Sequence, residues 1–134
     1  AYIASSAALY DNRVLTRIER GHEQSAVDYI ELMRERARIV RAFEDRMADY
    51  DCLAYPTTPI IAPPISAFDR DEDFARLNLL VLRNPAVINF LDGCAISLPM
   101  TKPPAAPTGL MLACPGGADH RLFEIAAGVE SLLA

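Results

Sequence analysis

The sequence predicts an α/β fold: part of a small β-sheet with helices covering both faces. Three observations carry that reading. Two stretches repeat apolar residues at helical spacing, and three short runs are apolar almost throughout. The order is helix, helix, strand, helix, strand, strand, helix. Strands this apolar need cover on both faces, and a sheet of three would leave its edges open.

From Ala1 to about Glu19 the pattern is loosely helical, with Ile3, Ala7, Tyr10, Val14 and Ile18 in step. Gly21 breaks it. Ser25 with Asp28 three residues on predicts a capping box. A long helix then runs to about Tyr50, with Ile30, Met33, Ala37, Val40, Phe43, Met47 and Tyr50 as its apolar stripe. Its other face pairs Glu31 with Arg34, Glu35 with Arg38, and Arg41 with Asp45 one turn apart.

Asp51 turns the chain, and Cys52–Tyr55 reads as a short buried strand. "YPTTPIIAPPI" (Tyr55–Ile65) follows. Proline fixes φ and lacks a donor, so this segment is neither helix nor central strand. Asp69–Asp73 opens a helix to about Leu82, which Asn84-Pro85 interrupts; a short helical piece, Ala86–Leu91, ends near Asp92-Gly93. "AISLPM" (Ala95–Met100) and "TGLMLAC" (Thr108–Cys114) read as strands joined by a proline-rich loop. "PGGAD" is a turn with Asp119 as N-cap of a last helix, which lines up Leu122, Ile125, Ala126, Val129, Leu132 and Leu133.

The 134 residues suit one domain or part of one, and their composition (51% hydrophobic, net charge −5) is that of an ordinary soluble protein. No basic run points to nucleic acid, and no apolar run reaches the roughly 18 residues of a membrane span. Cys52, Cys94 and Cys114 are odd in number and far apart, which predicts buried thiols in a reducing cytoplasm. The chain opens at Ala1 without a methionine, which suits a processed start as well as a start whose methionine was removed.

Three blocks then narrow the reading: "YDCLAYPTTPIIAPPI", "NPAVINFLDGCAISLP" and "APTGLMLACPGGADHRLFEIAAGVE", in that order. Together they resemble the C-terminal part of the amidase signature family. Asp51, Pro56-Thr57-Thr58-Pro59, Asn89, Pro99, Pro107, Gly109 and Asp119 fall on the family's marks. Where many members have Gly-Leu-Pro after the Asn, this chain has Asp92-Gly93-Cys94, a departure that leaves the substrate branch open.

The resemblance implies a mixed β-sheet within an α/β/α layer. It implies hydrolysis of C–N amide bonds through a serine acyl-enzyme, with a second serine, a lysine and a Gly-rich oxyanion loop. None of the chain's six glycines stands in such a loop, and Lys102 is its only lysine. The expectation is a C-terminal segment over 1–134 (helices 1–50, proline loop 55–65, strands and helices 72–134) with no catalytic residue of its own. A small-molecule amide is the expected substrate of the parent enzyme, which is placed in the cytoplasm without cofactor, metal, nucleic acid or membrane. Transamidating and allophanate-type parents both fit. The alternative is a non-catalytic module that self-associates, as a homo-oligomer, or binds a protein partner through its sheet edges.

Thr57, Thr58, Asn84 and Asn89 are the substrate-pocket candidates. Against that, Thr57 and Thr58 would satisfy backbone groups in a proline turn. Asn84 would cap a helix, while Asn89 suits either role. Asp92 before Gly93 is read as a helix end. Ser97 and Lys102 lack an adjoining oxyanion loop, Ser5-Ser6 are helix residues, and His22 and His120 lack metal-ligand neighbours.

Overall fold

The computed structural model describes residues 2–133, so Ala1, where the sequence pattern begins the first helix, lies outside the described residues. The chain divides into two compact units, 1–35 and 36–134.

In the first unit the expected single helix is two. α1 (Tyr2–Ser6) continues as a 3-10 turn to Leu9, and α2 (Asn12–Glu19) starts afresh. The break has a local cause: the Asp11 carboxylate accepts from the Arg13 N–H at 2.8 Å and caps α2. A second 3-10 turn, Arg20–Glu23, carries Gly21. The capping box then forms as expected. Asp28 Oδ2 accepts from the Ser25 N–H at 2.9 Å, and the Asp28 N–H donates to Ser25 Oγ at 3.2 Å. It starts α3 (Ala26–Met47), which contributes residues to both units. Of its apolar stripe Met47 is buried and Val40 and Phe43 are half-buried, but Ile30 and Met33 are exposed.

The second unit holds the sheet: β1 (Leu53–Pro56), β2 (Cys94–Pro99) and β3 (Gly109–Cys114), in the order β1-β3-β2. Both pairings are antiparallel, with Leu53 opposite Ala113 and Cys94 opposite Cys114. The sequence predicts a buried β1, yet Leu53 and Ala54 are exposed, because this strand lies at the edge of the described sheet. β3 is central and buried from Met111 to Cys114.

Prolines fit the ladder through its alternation. Thr57 N donates to Gly109 O and Met100 N to Thr108 O, so these are hydrogen-bonded rungs. Pro56 and Pro99 each sit one residue earlier, on rungs that make no cross-strand bonds, and on edge strands. Their missing N–H groups therefore cost nothing. Pro56 is thus part of β1, where the sequence suggests a loop.

The sheet carries a helix on each face. Leu98, Leu112 and Cys114 pack with Leu122 and Ala126 of α5 (Asp119–Leu133). Alternate residues Met111 and Ala113 pack on the other face with Tyr55 and with Ile88 of α4 (Asp71–Phe90). The α/β layering read from the sequence is present. α4 does not stop at Asn84-Pro85 as expected, and Pro85 lies inside it. The proline forfeits only the bond to the carbonyl four residues back, a cost of about 3 kcal/mol that burial of Ile88 and Leu77 offsets. Asp119 is the first residue of α5 rather than its cap, and the helix opens with Leu122 N donating to Ala118 O at 2.9 Å.

Candidate functional site

Antiparallel order brings the ends of β1 and β2 to the start of β3. There Thr57 Oγ1 and Ser97 Oγ lie 2.6 Å apart in a hydrogen bond. Both residues belong to the α4 face by alternation, and Gly109 lies between them. A Cβ on Gly109 would come within 2.6 Å of Thr57 Oγ1 and would strike Ser97 Oγ as well. Glycine here is a close-approach residue: the two hydroxyls occupy the space a side chain would take. Thr57 N also donates to Gly109 O at 2.8 Å.

A second layer fixes the proline turn. Asn84 Nδ2 donates to the Pro56 carbonyl at 2.7 Å, and the Tyr55 hydroxyl donates to the Asn84 carbonyl at 3.3 Å. Burial pushes the Tyr55 phenol up, so it stays a neutral donor. Thr58 Oγ1 donates to Ile60 O at 2.8 Å within the turn. Thr57, Thr58 and Asn84 are therefore brought together. Asn89 is not: it sits exposed near the end of α4, and its carbonyl accepts from Asp92 N at 3.4 Å.

In the sequence Ser97 stands out only as a partner for Lys102; its hydroxyl partner is Thr57. Neither Ser97 nor Gly109 carries a pocket signal of its own. The register that joins them is tertiary, although Gly109 opening an apolar strand is a hint that backbone approaches closely there. Each hydroxyl offers one proton and two lone pairs. One proton is used within the pair, which leaves the other for an external oxygen. Among the described residues the printed partner of each hydroxyl is the other, an arrangement able to orient a group. Among the described residues no group of three His, Cys, Asp or Glu could hold a metal ion.

The opposite end of the sheet is apolar and sulfur-bearing. Cys114 is 1% exposed, and its thiol donates to Asp51 O at 3.4 Å. Cys94 is half-buried, and its thiol donates to Pro115 O at 3.5 Å. Burial pushes the Cys52 and Cys114 thiols up, with the Arg121 charge opposing. Asp92, with φ of 54°, turns α4 into β2 and pairs with Arg36, whose guanidinium also lies 5.7 Å from the Phe90 ring centre. Asp92 is an exposed helix end, as its sequence context indicates.

Residues 1–123 match the family model described as Amidase. A 2-amino-5-chloromuconic acid deaminase of Comamonas testosteroni is 32% identical over 128 residues, covering 92% of this chain and 27% of the relative. A glutamyl-tRNA(Gln) amidotransferase subunit of Salinispora arenicola is 34% identical over 104 residues, covering 77% and 20%. Its counterpart from Streptomyces avermitilis is 34% identical over 98 residues, covering 72% and 19%. The chain thus spans between just under a fifth and rather more than a quarter of these relatives. No solved structure matches.

Proposed function

The chain belongs to the amidase family, and from that premise we propose that it is the C-terminal segment of an amide hydrolase that cleaves C–N bonds through a serine acyl-enzyme. In this reading residues 1–134 supply part of the pocket wall and the nucleophilic machinery lies elsewhere in a longer polypeptide. The observation that carries it is the hydroxyl pair Thr57–Ser97 at the sheet end, within the matched residues. One free donor on stiff supports orients an amide or carboxylate oxygen at low entropic cost. Asn84 holds the turn that carries Thr57, and Thr58 holds the turn's own shape.

Relatives named for deaminase and amidotransferase activities support C–N chemistry, and a small-molecule amide is the substrate class proposed. No described helix is long and apolar enough to cross a membrane. We place the parent enzyme in the cytoplasm, with no role for this segment in nucleic-acid binding. The open edges of β1 and β2 support further strand pairing, either within the parent or in a homo-oligomer.

The test is ammonia release from a panel of small amides. The native polypeptide is expected to release it, and residues 1–134 alone are not. Thr57→Val should lower kcat/KM about tenfold, the equivalent of one lost hydrogen bond at about 1.4 kcal/mol. Release by residues 1–134 alone, or an unchanged kcat/KM in Thr57→Val, overturns the reading.

A further inference from the structure

The three cysteines are far apart in sequence, yet the register sets them in one row. Cys94 and Cys114 are direct partners across β2 and β3. Leu53 faces Ala113 across β1 and β3, and Cys52 and Cys114 each lie one residue beyond that pair. All three side chains belong to the α5 face, and Cys52 and Cys94 pack against the cluster that contains Cys114. Cys114 is the middle member, with one thiol on either side.

The two flanking rungs differ. The Met100–Thr108 rung is hydrogen-bonded, and Cys94–Cys114 lies six residues from it, so it is hydrogen-bonded too. Its Cα atoms stand about 5.5 Å apart. The Thr57–Gly109 rung is hydrogen-bonded, and Cys52–Cys114 lies five residues away, so it is the other kind. There Cα atoms stand about 4.5 Å apart and the side chains are closer. Disulfides span Cα separations of about 4.4–6.8 Å. Cys52 and Cys94 are two strands apart, about 10 Å, beyond reach of each other.

We propose that Cys52 and Cys114 form an oxidisable cross-strand dithiol, which closes to a disulfide with hydrogen peroxide as oxidant while Cys94 stays a thiol. One thiol takes an oxygen from peroxide, giving a sulfenic acid and one water. The other thiol's sulfur then attacks, the S–S bond forms, and the sulfenic oxygen leaves as a second water. Two electrons and two protons pass from the pair to the peroxide. Access exists from the side of the α3–β1 junction, where an open cavity is lined by Glu44, Tyr50, Asp51, Cys114, Pro115 and Arg121. Because burial keeps these thiols protonated, the closure is slow and needs a small oxidant. A bridge would tie the entry of β1 to the exit of β3, fixing the start of the strand that leads to Thr57.

The experiment is peroxide treatment of the native polypeptide, alkylation of remaining thiols, digestion without reductant, and mass mapping. The expected product is a Cys52–Cys114 linked peptide pair, lighter by two hydrogens, with Cys94 alkylated. Cys94→Ser should leave that bridge in place. A Cys94–Cys114 bridge, a Cys52–Cys94 bridge, or sulfinic acids with no bridge would each overturn the proposal.

Discussion

The two ends of this sheet are built from the same three strands but are held by different forces. At the end where β1 and β2 finish, a turn is fixed by short polar contacts: Thr57 to Ser97, Asn84 to Pro56, Tyr55 to Asn84. At the other end, thiols and α5 pack into the apolar cluster, and backbone approaches backbone at Gly93 and Gly116. In the proposed reading the polar end meets a substrate oxygen, while the apolar end packs the sheet against α5. Damage at the two ends should therefore read out differently, one in activity and the other in stability.

The sharpest contrast is between two glycines. A Cβ at Gly93 would lie 2.8 Å from the Cys114 carbonyl oxygen and 2.9 Å from the Ile88 side chain. A strand carbonyl cannot swing aside, so Gly93→Ala should cost about 3 kcal/mol in urea unfolding of the native polypeptide. At Gly109 the obstacles nearest the added Cβ are two hydroxyl ends, which can rotate away. Gly109→Ala should cost nearer 1 kcal/mol but break the hydroxyl pair, with a larger fractional loss of amide hydrolysis than of stability. Equal losses of stability in the two variants would erase the distinction between the ends.

Next in size is Asn84→Ala. It leaves the Pro56 carbonyl without its donor, at a cost of about 1–2 kcal/mol. Ser97→Ala should cost about 0.5–1 kcal/mol, because Thr57 stays held through its backbone bond to Gly109. If Asn84→Ala weakened substrate use without lowering the unfolding midpoint, Asn84 would be a substrate contact and not a support for the turn.

Local pattern is the most legible part of the sequence. Helical spacing in α3 and α5, the capping box at Ser25–Asp28, and the apolar runs of β2 and β3 come from local pattern. What stays hidden depends on register or on tertiary compensation. β3 is buried on both faces, so it shows no alternation from which its partners can be aligned. Without the register, neither the cysteine row nor the meeting of Thr57 with Ser97 can be read. Pro85 signals a helix break locally, but burial of Ile88 beyond it carries α4 on to Phe90. Pro56 reads as loop until its rung is known to need no donor.

The smallest effect is electrostatic and lies at the apolar end. Arg36 donates to Asp92 and holds its carboxyl below the ordinary value of 3.8, chiefly through that hydrogen bond. A carboxylate whose folded-state pKa is depressed adds stability above its unfolded pKa and loses it as pH falls through the folded value. The Asp92 contribution is therefore constant from neutral pH to about 5 and disappears only in the acid range below about 4. Asp92→Asn should flatten that acid limb slightly and leave the neutral midpoint almost unchanged, since the carboxylate is solvent-exposed and screened. Added salt should shrink the difference further. A large fall in the neutral midpoint would mean that the turn at Asp92, with its φ of 54°, depends on the carboxylate itself, and the apolar end would then be held by charge as well as by packing.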